Sequence, residues 1–154
     1  MTTDYHDPWV DNSTNYSAAS MNPPLSQLDT QIQNLATSIY DIGGTFEDKP
    51  ITLETILRFP VPRTINFVID LVGSQMVAGI AATALAVFSI QKNGTEFATA
   101  TFAVSGTTAT FIAGTATEFV AGDVLTIVSP ASPDATLENL GWGLVASRTV
   151  LIPI

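Results

Sequence analysis

The run ALAVFSIQKNGTEFATATFAV, residues 84–104, decides the fold. Ala84, Ala86, Phe88 and Ile90 alternate with Leu85, Val87 and Ser89, and side chains of an extended strand point to opposite faces in that rhythm. Asn93-Gly94 follows Lys92 at once. Both central residues of a tight two-residue hairpin turn need positive φ, which Asn and Gly adopt with least strain. The returning strand, residues 96–104, places Phe97 on one face and Phe102 and Val104 on the other by the same alternation. A β-hairpin is therefore predicted here.

Toward the C-terminus the pattern continues. Ser105-Gly106 turns the chain, residues 108–113 make a strand carrying Phe111 and Ile112, and residues 114–117 are loop. Gly122-Asp123 reads as an Asx-type turn before the apolar run 124–128, and residues 129–134, with two prolines, as loop. Leu137, Leu140, Trp142, Leu144 and Val145 supply a further strand region, and residues 149–152 a last one. Trp142, flanked by Gly141 and Gly143, has two readings: a core side chain of the closing strand or a flat platform for a ligand.

Toward the N-terminus, residues 64–71 read as a strand, while Pro60 and Pro62 restrict the segment before them to a sheet edge or crossover. Residues 71–90 carry no formal charge and are long enough to span a bilayer. Gly73, Ser74, Gln75 and Gly79 interrupt them, and the run leads straight into the hairpin, so a pair of buried strands is the better reading. Seven or eight short strands after residue 51 predict an antiparallel β-sandwich of jelly-roll type, with a closed barrel as the alternative.

Residues 22–44 follow a different rhythm. Leu25, Leu28, Ile32, Leu35, Ile39 and Ile42 recur at spacings of three and four, which predicts a short coiled-coil helix and an oligomer interface. Asn22 and Pro23 suit its start and Gly43 its end. The predicted organisation is an extended N-terminal arm over 1–21, the helix over 22–44, a linker over 45–50 and the sandwich over 51–154. The arm is polar and bears Tyr5, Trp9 and Tyr16, amphipathic side chains suited to anchoring on a partner. It lacks the basic stretch and apolar core of a secretory signal.

Composition narrows the function. Charged residues are 12% of the chain, about half the usual share, and the net charge is −9. Residues 1–50 hold seven acids against Lys49 and so carry −6 of it. No basic patch is left for nucleic acid. With one histidine (His6) and no cysteine, most nucleophile and base pairs are missing, and Asp70, Glu96, Glu118, Asp123, Asp134 and Glu138 mostly fall at strand ends and turns, where solvation or turn capping is the ordinary role. No metal-ligand spacing is present around Asp7 and Asp11. No catalytic residue, metal or cofactor is expected.

The segment 88–140, with SIQKNGT (89–95), ATF (100–102), FVAGDVLTIVSP (119–130) and PDATL (133–137), resembles a β-domain that recurs in virion proteins of tailed bacteriophages, in fibres and related surface appendages. WVD (9–11) and AASMN (18–22) are similar to the segment that often begins such fibres. The resemblance implies a non-enzymatic virion surface protein, commonly a homotrimer, with a particle-bound N-terminal part and an outward knob. The short chain without a repeated shaft favours capsid decoration or cement over a short tail fibre that recognises host glycans. The partners expected are its own copies and the major capsid protein or another virion protein, with no nucleic acid and no membrane.

Overall fold

The alternation read from the sequence is present in a computed structural model that describes residues 37–149, with side-chain surroundings for 38–148. Ten strands succeed one another among the described residues: β1 (Thr37–Phe46), β2 (Thr55–Pro60), β3 (Ile65–Phe67), β4 (Gln75–Ile80), β5 (Ala86–Lys92), β6 (Thr95–Phe102), β7 (Ala109–Ile112), β8 (Thr117–Phe119), β9 (Val124–Val128) and β10 (Glu138–Thr149). One 3-10 turn, Ile69–Leu71, follows β3. Residues 71–90 are thus two strands and not a membrane helix; no helix among the described residues is long and apolar enough to cross a bilayer.

The strands form two five-stranded antiparallel sheets. The first has the order β1-β10-β3-β8, with β4 also paired to β10; the second has the order β2-β9-β5-β6-β7. Pairing is nested, so that the first strand meets the last, the second the ninth and the third the eighth. The two sheets share one hydrophobic core in a sandwich-like arrangement. Ile65, Phe67, Met76, Leu140 and Leu144 come to it from the first sheet, and Phe88, Ile90, Phe102, Leu125 and Ile127 from the second. Each such side chain, fully buried, contributes about 1.5–3 kcal/mol of transfer free energy, so these ten outweigh any single turn or cap.

The hairpin β5–β6 closes through Asn93 (φ 51°) and Gly94 (φ 83°), as the Asn-Gly pair requires. Alternation alone misplaces one residue. The register slips by one between Ile90↔Ala98 and Gln91↔Glu96, leaving Phe97 as the extra residue of a β-bulge. The bulge turns Phe97 toward the core side that Phe102 also occupies. Its ring centroid lies 5.8 Å from that of Phe67 and 5.4 Å from that of Phe119, both on the first sheet. Val104, expected beside Phe102, lies past the strand end and is exposed. β2 lies at a sheet edge, one of the two placements, edge or crossover, that the prolines leave open.

The main correction concerns residues 37–44, expected at the end of a helix. They form most of β1, and the predicted linker contributes Thr45 and Phe46 to the same strand. In a strand a spacing of three reverses the face, and the two seam residues in this region part company: Ile42 is 4% exposed, Ile39 73%. A period of two wins here, with Tyr40, Ile42 and Phe46 turned to the core. Gly43 and Gly44 each disfavour a helix by about 1 kcal/mol, while β-branched Ile39, Ile42 and Thr45 suit a pleated sheet. The β-unit accordingly begins at Ser38 and not at residue 51. The remainder of the predicted helix, 22–36, with Leu25, Leu28, Ile32 and Leu35, and the arm with Tyr5, Trp9 and Tyr16, lie outside the described residues, as does the last predicted strand beyond residue 149.

Candidate binding site on the outer face of the second sheet

Three acids of the β-unit, Asp134, Asp123 and Asp70, tie loops together. Asp134 is buried, and its Oδ2 accepts from the Thr83 amide (2.9 Å), the Thr83 hydroxyl (2.9 Å) and the Ala84 amide (2.7 Å). Its Oδ1 accepts from the amides of Thr136 and Leu137, both at 2.8 Å, and lies 2.9 Å from the Thr136 hydroxyl. That hydroxyl also lies 2.8 Å from the Ala81 carbonyl oxygen, and its one proton serves either acceptor. Asp134 therefore cross-links the β4–β5 loop to the loop before β10. Burial works against its ionisation, but the donors from Thr136, Ala84 and Leu137 outweigh burial and hold its carboxyl well below the usual carboxylate range.

Asp123 ties the β8–β9 turn to the hairpin. Its Oδ1 accepts from Asn93 Nδ2 (2.7 Å), its Oδ2 accepts from the Val120 amide (2.8 Å), and Lys92 Nζ lies 3.1 Å from Oδ2. The bond from Asn93, then that from Val120, lower its pKa, with a smaller contribution from Lys92. Asp70, at φ 55°, accepts from the Ala113 amide at 2.9 Å and so joins the 3-10 turn to the end of β7. These carboxylates hold loops, and no group of three His, Cys, Asp or Glu side chains is placed to bind a metal among the described residues.

Trp142, for which the sequence leaves two readings open, is core: it is 7% exposed and packs on the inner side of β10. Its indole N–H has no hydrogen-bond partner among the described residues.

The open site lies elsewhere. On the outer face of the second sheet the register sets Arg58 of β2 opposite Thr126 of β9, and Thr126 opposite Gln91 of β5. Residues directly opposite in an antiparallel pair share a face. The three side chains form a row beneath a groove of about 400 Å³ that Thr55, Val124 and Val128 also line. Thr126 is the floor, 9% exposed although it points away from the core. Its hydroxyl has only a long contact, 3.5 Å, to Gln91 Oε1.

Arg58 stands apart from the chain's other cations. Lys49 donates to the Ala135 carbonyl, Arg63 sits over the Tyr40 ring at 6.0 Å, Lys92 pairs with Asp123 and donates to the Glu118 carbonyl, and Arg148 donates to Ser38 Oγ at 2.6 Å. Arg58 alone has no such partner among the described residues. Sequence reasoning missed this site because residues 124–128 read as one apolar run, hiding the outward Thr126, and because nothing local reveals which residue of β2 faces it. Comparison with known protein families, with curated proteins and with solved structures gives no match to this chain.

Proposed function

We propose that the chain is a non-enzymatic surface component of a tailed-bacteriophage particle, a knob that decorates or cements the capsid as a homotrimer. The observation that carries this reading is the nested strand pairing. Orders of 1-10-3-8 in one sheet and 2-9-5-6 in the other match a jelly roll with β4 and β7 added, an architecture that viral capsid domains use. The step from fold to function is an analogy, joined to the resemblance of residues 88–140 to phage virion β-domains. Exposed apolar side chains support it: Val68, Ile69 and Val72 flank or lie on the 3-10 turn that Asp70 fastens to β7, a fixed apolar edge of the kind a partner surface covers.

In this reading the seam from Leu25 to Leu35 joins three chains, and Tyr5, Trp9 and Tyr16 anchor the arm on the particle, three weak contacts multiplied by symmetry into avidity. Purified protein mixed with empty shells should bind, and deletion of residues 1–21 should abolish binding while the trimer persists. Binding retained in full after that deletion refutes the arm as anchor. A second reading, a short tail fibre that recognises host glycans, is favoured by the groove over Arg58; adsorption to host cells without any binding to shells would select it.

A further inference from the structure

We propose that the groove over Arg58, Thr126 and Gln91 binds a saccharide unit that carries a single carboxylate. The assignment goes beyond the particle-surface reading and does not rest on it, because the groove belongs to the sheet itself.

Three features define the ligand. The first is charge: the guanidinium of Arg58 is the one cation of the chain not engaged by its own residues among those described, and its planar fork matches a carboxylate with two parallel hydrogen bonds. In a chain of net charge −9, a densely charged polyanion is repelled as a whole while a single carboxylate at Arg58 is not.

The second is the polar inventory. Thr126, a residue nine-tenths buried, offers a hydroxyl whose one contact among the described residues is long; Gln91 offers its amide oxygen and the second N–H of an Nε2 that already donates to Ser89 Oγ at 3.1 Å; and Thr55 lines the rim with a hydroxyl. Sugar hydroxyls are donors and acceptors at once and satisfy such groups, whereas an apolar acid leaves the Thr126 hydroxyl without a good partner. Val124 and Val128 flank the row and fit the C–H surface of a pyranose ring. The volume lies within the range of small-molecule sites.

The third is polarity. Glu96 is the register partner of Gln91, one strand further on, so it lies three strand spacings from Arg58, about 14 Å at the usual separation. An anion is drawn to the Arg58 end and repelled from the other, which sets the direction in which the sugar lies.

Amide chemical-shift perturbation of the isotope-labelled full-length chain, titrated with methyl glucuronide, tests the site. Saturable shifts in the millimolar range, centred on Arg58, Gln91 and Thr126, are expected. Methyl glucoside should bind about tenfold more weakly, and Arg58→Gln should weaken the glucuronide about tenfold with the rest of the spectrum unchanged. Thr126→Val, which keeps the shape and removes the hydroxyl, should weaken it as well. No saturable shift with glucuronide overturns the proposal. So do equal responses to acetate and glucuronide, or binding untouched by Arg58→Gln.

Discussion

Gly44 and Trp142 fit one against the other across β1 and β10: a Cβ built on Gly44 would lie 2.6 Å from Cζ2 and 2.8 Å from Cε2 of the indole. The missing side chain makes room for the ring. Burying the roughly 150–250 Å² of an indole is worth about 4–6 kcal/mol, more than the about 1–3 kcal/mol that an N–H without a partner among the described residues costs. Gly44→Ala forces the ring or the strand to move and should destabilise the β-unit by about 1–3 kcal/mol. At Gly43 the nearest atom, the Trp142 carbonyl oxygen, is at an ordinary 3.5 Å, so Gly43→Ala should cost much less. Urea unfolding followed by tryptophan fluorescence compares the two; equal losses would show that the indole does not set the requirement.

Gly94 needs glycine for a different reason. No atom lies within 4 Å of a Cβ built there, yet its φ is 83°. Gly94→Ala should cost about 1 kcal/mol through backbone strain alone. Space governs position 44 and conformation governs position 94, so shrinking the opposing ring with Trp142→Phe should soften the first substitution and leave the second unchanged.

Asp134 gives the β-unit an acid-sensitive fastening. Its folded-state pKa is lowered, so the unfolded chain takes up the proton first. The stability it contributes is complete above the unfolded value of about 3.9 and is lost as the pH falls from there toward the folded value. Asp134→Asn should cost about 2–3 kcal/mol at neutral pH, because an amide cannot accept from donors on both sides. The same variant should show a shallower loss of stability below pH 4 than the parent, measured by denaturant midpoints across that range.

Ile39 and Ile42 separate strand from helix. Ile42→Asp buries a charge in the core and should unfold the unit, whereas Ile39→Asp, on the exposed face of β1, should change stability by no more than about 0.5 kcal/mol. Both substitutions would be equally harmful on one helical seam. Thermal unfolding by circular dichroism, with light scattering to follow the mass of the proposed trimer, reads out both effects; a lower mass for Ile39→Asp than for the parent chain would restore that residue to a subunit interface.

Local pattern was sufficient wherever neighbours in sequence are neighbours in space. The β5–β6 hairpin, the exclusion of β2 with its prolines from a central position, the loop 129–134 and the local turn bonds of Asp123 to Val120 and of Asp134 to Leu137 follow from φ requirements, a missing N–H donor and short-range hydrogen bonding, all of which a few adjacent residues carry.

Tertiary contact decided the rest. Residues 37–46 hold both a three-four spacing and an alternation, and pairing with β10, where Gly44 leaves room for the Trp142 ring, adds to the local preferences that make the second the stable one. The bulge at Phe97 exists because the Phe67–Phe119 pair lies across the core to receive its ring. The Arg58–Thr126–Gln91 row depends on the register of β2 with β9 and of β9 with β5, pairings between segments 35 and 68 residues apart in sequence. Composition and periodicity set which face of a strand is apolar; long-range register, fixed by how the two sheets close over their shared core, sets which polar side chains meet on the other.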